Sequence, residues 1–341
     1  MIRVRVVDSH QVVEKIEVWM MSEPILVDTG RSTCGWSFWG SAFSCEQLWY
    51  RLNVEQRKLI PAAALTQGSM GHVALAHHYA RHGATQAGGF NYEGVQATDP
   101  DMFLDPDEAI KEWCRRAMAA DGTDGWPYVA NTMELLSRYA QRGPIHDRVV
   151  GVEMPVAMVI GHKEGEWGLW LEDDTVEPTL LDAPGLEDPH PNVPALQHGK
   201  PIRITKRFDL AVTSHQDNRT YIWDHKVTGG GVGGKRAEQY AIDGQFAVNR
   251  IAGRQLWGKQ FGGVLLNLCQ RRSPWTVSRQ VVPETPFRDE AFPTQLWRRA
   301  HRIADLLAAK APIHQWEMTQ SELACYHRYG KCGAFELCRF G

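Results

Sequence analysis

The sequence predicts an α/β protein with a central mixed β-sheet flanked by helices. Two patterns and one bound carry this. Helical periods fill much of residues 41–140, and a meander of strand-like runs starts near residue 148. A helix–strand–helix order then closes the chain. Helices followed by strands that alternate with helices pack as layers on one sheet. The bound is composition: 43% apolar and 23% charged over 341 residues, ordinary for a globular chain with a real core. A disordered chain, a collagen-like repeat and a coiled coil are excluded. At about 150 residues per domain, the length fits one large domain or two small ones.

Element by element, residues 1–30 alternate apolar and polar side chains and read as a β-rich extension. Residues 41–58 and 70–82 read as helices, the second stopped by Gly83. A helix opens at Asp105-Pro106, with Asp105 as N-cap, Pro106 at N1, and Asp107 and Glu108 at the positive dipole end. Another helix follows Trp126-Pro127. RVVGVEMPVAMVIG, GLWLE, IRITKRFDLAVTS and YIWDHKVT are strands, with HKEGE and HQDNR as turns. Pro178, Pro184, Pro189, Pro191 and Pro194 mark about 173–200 as a long surface insertion. A Gly-rich bend (229–234), a helix over about 236–255, the strand GGVLLNLCQ and a helix over about 292–310 precede a Cys-rich tail.

Lys+Arg total 37 and Asp+Glu 40, a formal net charge of −3. That excludes a polycation coating nucleic acid by bulk charge and leaves room for a local basic groove. The N-terminus lacks a signal peptide's apolar stretch, and no run approaches the ~18 apolar residues of a membrane span. The expectation is a cytoplasmic protein with no membrane contact. The Cys count, seven, is odd, and disulfides are rare in the cytosol. Three of them fall in the tail, which points to a metal or cluster site there.

The most informative segment is KRFDLAVTSHQDNRTYIWDHKVT. In a strand, residues i and i+2 share a face, so Asp224 and Lys226 point the same way. Asp209 meets them from the neighbouring strand. Two carboxylates satisfy a hard divalent cation such as Mg²⁺. Such a cation activates water and stabilises phosphate charge, and an adjacent Lys orients that water. Alone, D-x-K is weak, and a surface hairpin carrying ordinary Asp and Lys explains it better.

It has company. Gly68-Ser69-Met70-Gly71-His72 supplies G-x-x-x-H on an early helix. Arg207-Phe208-Asp209-Leu210 supplies a strand Asp, Trp223-Asp224-His225-Lys226 a D-x-K strand, and Gln245 a helix Gln, with Gln239 as its rival. In order and content these resemble the PD-(D/E)xK nuclease superfamily, specifically its RecB-type exonuclease branch, which includes CRISPR-adaptation and phage exonucleases. The resemblance runs from about residue 37 to the C-terminus. It implies a restriction-endonuclease-like core over about 68–271, in a single nuclease domain spanning 31–341. It implies that His72, Asp209, Asp224 and the His225 backbone carbonyl hold Mg²⁺ or Mn²⁺. Lys226 would act on the water, with Gln245 and Glu153 also at the site.

Cys325, Cys332 and Cys338 are separated by six and five residues. Tetrahedral Zn²⁺ and iron–sulfur clusters both usually need four ligands. In the iron–sulfur members of this branch the first Cys lies far upstream, after a Ser-rich helix start. That nominates Cys45, in SFWGSAFSCEQLWYRL, with Cys34 as the alternative. The implied group is an iron–sulfur cluster, 4Fe-4S. Zn²⁺ stays open as the alternative, because six residues separate Cys325 from Cys332 where the family most often has two. The cluster would staple region 34–50 to 320–341. Cys114 and Cys269 read as buried bystanders.

Other features have simpler explanations. GGGVGGKR resembles a P-loop start, but Arg236 replaces the Ser/Thr that should hold Mg²⁺. DPDMFLDPDE hints at Ca²⁺, and helix capping explains it better. His78 and His82 sit at i,i+4 without a third zinc ligand. Trp36, Trp39 and Trp49 could stack on bases, though packing is the commoner use. Arg271, Arg272, Arg279, Arg298, Arg299 and Arg302 make the later half the DNA-facing side. The sequence thus points to a metal-dependent DNA nuclease, acting on single strands or end-bearing duplexes, in a bacterial or phage-infected cytoplasm. A helicase, annealing or integrase-like partner belongs to that expectation. The competing readings are a non-catalytic DNA-binding scaffold and a P-loop NTPase.

Overall fold

The computed structural model describes residues 24–27, 29, 34–57, 63–141, 145–228, 232, 236–271, 273, 275–318, 326–327 and 330–331. The helices are α1 (Trp36–Ser44), α2 (Glu46–Asn53), α3 (Ala63–Thr85), α4 (Pro106–Asp121), α5 (Val129–Ala140), α6 (Arg236–Ala241), α7 (Gly244–Trp257) and α8 (Pro286–Ala308). Two short strands, β1 (Phe90–Tyr92) and β2 (Val95–Ala97), form a hairpin. The main strands are β3 (Arg148–Lys163), β4 (Glu166–Leu171), β5 (Glu177–Pro178), β6 (Arg203–Thr213), β7 (Thr220–Thr228), β8 (Phe261–Gln270) and β9 (Val277–Val281). They make one seven-stranded sheet in the order β4-β3-β6-β7-β8-β9, with β5 also paired to β3.

This is the mixed, helix-flanked sheet that the sequence predicts. β3 pairs antiparallel with β6, and β6 with β7 across a short turn, whereas β8 lies parallel to β7. A parallel neighbour needs a crossover, and α6 and α7 provide it. α3, α4 and α5 cover one face, over Val149, Val152, Leu210, Trp223 and Val227. α1, α7 and α8 cover the other, over Met158, Ile160, Ile204, Val264 and Leu266. Among the described residues, no helix is long and apolar enough to cross a membrane.

Several elements differ from expectation. The helix predicted over 41–58 is two helices, broken at Cys45. Cys45 is extended and accepts the Leu48 N–H at its sulfur, so it caps α2. The helix predicted over 70–82 begins earlier, and Gly83 does not stop it; it runs to Thr85. Gly83 faces Phe90 and Val149 instead, so helix–sheet packing sustains the last turn. The helix predicted over 236–255 is split at Ile242-Asp243, where Asp243 Oδ1 caps α7 by accepting the Gln245 N–H at 2.8 Å. The last long helix starts at Pro286 rather than 292. The 173–200 segment is not a surface excursion. Val176, Leu181, Ala183, Leu186, Val193 and Leu196 are buried, most of them in the core under α8. In the 1–30 extension, Ile25 bridges Phe103, and residues 1–23 lie outside the described residues. The Gly-rich bend falls mostly outside them too. In the tail, β10 (Tyr326–His327) and β11 (Gly330–Lys331) pair as a two-stranded ladder.

Candidate active site and metal centre

Three elements deliver one ligand atom each to a common point. α3 carries His72, β3 carries Glu153 and β6 carries Asp209, and their ligand atoms lie within 4.8 Å of one another. His72 Nδ1 is 3.5 Å from Asp209 Oδ2. α3 reaches the sheet this closely because of Gly71: a Cβ there would fall 2.4 Å from the Val227 methyl on β7. Gly68, the glycine of the sequence motif, faces open space. Glu153 is buried and has a positive φ of 47°, an uncommon conformation for a residue with a Cβ. Its chain neighbours go to opposite sides, Val152 into one core and Met154 against the other.

The second half of the site arises where β6 and β7 part. Their ladder ends at Leu210↔Trp223. One step further, Asp209 Oδ2 takes the His225 N–H at 2.7 Å, so a side chain replaces the ladder carbonyl. Asp224 and Lys226 share a strand face, as their i,i+2 spacing requires. Lys226 Nζ pairs with Asp224 Oδ1, and the Gln245 amide donates to Asp224 Oδ2. Gln239 is exposed on α6, so geometry selects Gln245 over its rival.

Charge binds the two halves together. Burial works to raise the Asp209 pKa, but His72, Lys206, Lys226 and His225 outweigh it and hold the carboxyl down to about 2. Burial likewise opposes the Lys226 ammonium, and Asp224 and Asp209 overcome it, so its pKa is raised. Lys226 is therefore charged when its carboxylates have no other counter-ion. Burial pushes His225 down to about 3, leaving the imidazole neutral. Its ring stacks on Tyr79 at 5.7 Å, and its Nδ1 lies 2.7 Å from the Asn267 amide, which also reaches the Tyr139 hydroxyl. The sequence reading missed Lys206, Asn267 and Tyr139. Asn267 was readable as a lone amide in the apolar run of β8, where burial demands a polar partner.

One imidazole nitrogen and two carboxylates suit Mg²⁺ or Mn²⁺. The three-residue group contains the expected His72 and Asp209 and gains Glu153. Asp224 stands outside it, engaged by Lys226 and Gln245. Among the described residues, His78 and His82 join no such group. His78 packs edge-on against Tyr79 and Tyr139, and His82 meets Gln86.

Cys325, Cys332 and Cys338 lie outside the described residues. Cys45 Sγ is 4.0 Å from the Glu317 carbonyl, and the Glu317 N–H is held by Glu46 Oε2 at 2.9 Å. The segment leading to the tail is thus anchored beside Cys45. Cys34 is buried against the Thr205 hydroxyl at 3.5 Å, on β6. Cys114 and Cys269 are buried, as expected. Trp39 and Trp49 are fully buried packing residues. Several of the basic residues expected to face DNA have partners within the protein. Arg279 lies over the Trp223 ring, Arg299 pairs with Glu46, and Arg302 donates to the Gln315 carbonyl. Arg272 is outside the described residues. No family model matches the chain and no curated protein matches it, so the geometry of this site carries the functional reading.

Proposed function

We propose that this protein is a metal-dependent DNA nuclease that hydrolyses phosphodiester bonds, acting from DNA ends. One observation carries the reading: an acid–imidazole triad meets a Lys–Asp–Gln set across a single parting of β6 and β7. The order of the core elements also supports it, once β4 and β5 between β3 and β6 and the elements between α3 and β3 are set aside: α3, the antiparallel neighbours β3, β6 and β7, the crossover helices α6 and α7, and β8 parallel to β7. A PD-(D/E)xK nuclease has this order.

A divalent cation held by His72, Glu153 and Asp209 would supply positive charge to a phosphate and acidify water. Asp209 also fixes the β7 backbone by accepting the His225 N–H. Gln245 holds one Asp224 oxygen, and Lys226 lies on the other. From there Lys226 would orient water toward a phosphate bound in the gap. For the cysteine cluster, Cys45 is the favoured fourth ligand because residue 317 is tied beside it. A 4Fe-4S group, or Zn²⁺, would join α1 and α2 to the tail.

The test compares the protein with Lys226→Ala on end-labelled single-stranded, end-labelled duplex and closed circular DNA, in Mg²⁺ or Mn²⁺ against EDTA. The expected result is metal-dependent cleavage of the end-bearing substrates that the variant loses. Absence of cleavage by anaerobically purified protein, with DNA still bound, would favour the non-catalytic scaffold.

A further inference from the structure

Between α1, the α6–α7 corner and the start of α8 lies a cavity of about 380 Å³ that the catalytic reading does not use. Its size falls at the lower end of small-molecule sites, ~300–1,000 Å³. Its wall is aromatic. Trp36 lies 5.9 Å from Phe43 at an interplanar angle of 22°, and 6.1 Å from Phe292. The Trp36 ring rests on Gly244, the first residue of α7, where a Cβ would fall 2.2 Å from it. The aromatic wall is therefore fixed to the helix that presents Gln245, one residue away.

Beside Ile242 and two glycines, the rest of the lining is polar. Ser37, Ser41 and Ser44 recur at i, i+4 and i+7, one face of α1. Ser41 and Ser44 donate to the Phe38 and Gly40 carbonyls, both at 2.8 Å, and keep lone pairs for accepting. Arg288 also lines the cavity, and its Nε donates to the Ile242 carbonyl at 3.2 Å, which leaves its other guanidinium N–H groups for a ligand. Asp243 is occupied in capping α7. An aromatic cage of this kind could hold a cationic ligand. Arg288 in the wall disfavours a second positive charge and favours a phosphate.

Resting on the nuclease reading, we propose that this cavity is a nucleotide subsite. It takes the base next to the scissile phosphate of a single-stranded DNA end, stacked on Trp36, with its flanking phosphate on Arg288. Stacking is tolerant of sequence because every base has a π-face. The site therefore grips a strand without reading it.

The test is an abasic scan. Oligonucleotides with one abasic position, moved stepwise from each end, are titrated by anisotropy against Lys226→Ala protein with Ca²⁺. We expect one position near an end where base loss weakens binding by about 5- to 150-fold, the range of a base–aromatic stack. Trp36→Ala added to that background abolishes the penalty and Trp36→Phe keeps it. Because Trp36 also packs on Phe292, Ser41→Phe serves as a second variant that fills the cavity from the helix face. It too abolishes the penalty. Arg288→Gln lowers the salt slope of binding by about 0.7, one single-strand phosphate contact. A flat scan, or a penalty unchanged by Trp36→Ala and Ser41→Phe, overturns the subsite even where the wild type cleaves DNA. A peaked scan that the variants abolish, without cleavage in any metal, overturns the nuclease reading and leaves the subsite standing. No DNA binding overturns both.

Discussion

Glu153 and Asp209 face each other across β3 and β6, at the step between the paired positions Val152↔Leu210 and Met154↔Phe208. Both strands change allegiance there. Val152 and Leu210 pack under α3, while Met154 and Phe208 belong to the core under α7 and α8. Side chains of a regular strand alternate between faces, so positions two apart should share one core. The positive φ of Glu153 breaks that rule on β3. The same wrench turns two carboxylates into the gap between the cores, where His72 meets them.

Glu153→Gly tests whether backbone strain is held there for the sake of the site. A residue with a Cβ at positive φ costs on the order of 1–3 kcal/mol, against ~0.5–1 kcal/mol for the entropy of a glycine. The variant should be as stable as the wild type in EDTA, or more so. It should lose the stabilisation by Mn²⁺ expected of the wild type, about 2.7 kcal/mol at a hundredfold excess over Kd. Urea unfolding with and without Mn²⁺ measures both. A variant less stable in EDTA would mean that Glu153 is a structural residue.

The two glycines of the α3 motif should behave differently. Gly68 faces open space in a helix, so Gly68→Ala should stabilise by up to about 1 kcal/mol and leave cleavage intact. Gly71→Ala drives a methyl into Val227 and should cost about 1–3 kcal/mol. It should also lift His72 away from Asp209 and weaken Mn²⁺ binding. Val227→Ala in the same chain should restore much of both. Thermal melts and Mn²⁺ titrations of the three variants beside the wild type decide it.

These contrasts mark what the sequence could reveal. Asp209, Asp224 and Lys226 were legible because strand periodicity alone puts them on adjoining strands, and Gln245 follows on the crossover helix. The close packing of Gly71 was hidden, because it depends on Val227, far along the chain. The break at Cys45 was hidden because cysteine is an ordinary helix residue by propensity; its sulfur caps α2 while Glu46 is pinned by Arg299 and Glu317. The buried aliphatic residues of 176–196 were masked by prolines and by the lack of any period. The change of core at Glu153 had no signal, since positive φ is usually written as Gly or Asn.

Asp209 should give stability a specific acid dependence in metal-free protein. Its folded-state pKa of about 2 lies below the ~3.9 of an unfolded Asp. Stabilisation is therefore fully present above pH ~4 and is lost as the pH falls toward 2. Nearly two units correspond to on the order of 2 kcal/mol. Asp209→Asn keeps an acceptor for the His225 N–H and lacks the charge. The stability difference between wild type and this variant should shrink between pH 6 and pH 3 in EDTA. Urea midpoints that stay equally spaced would show that the cations around Asp209 do not hold it ionised.

The last test concerns what aims α7 at the site. Arg250 is almost fully buried and makes hydrogen bonds to Asp289, Thr285 and the Ala241 carbonyl, while Arg254 adds a second cation to Asp289. This cluster ties α6, α7 and α8 together one turn beyond Gln245. A buried pair contributes little net stability against an apolar pair of similar size, but removing one partner strands a charge and costs about 3–5 kcal/mol. Asp289→Ala should therefore destabilise by that amount, and Arg250→Met with Asp289→Leu should recover most of it. If the cluster only stabilises, the double variant will cleave DNA normally. If it also positions α7, the recovered stability will come with a slower cleavage rate, because Gln245 no longer holds Asp224 against Lys226. Denaturation midpoints and single-turnover rates on the same preparations separate the two roles.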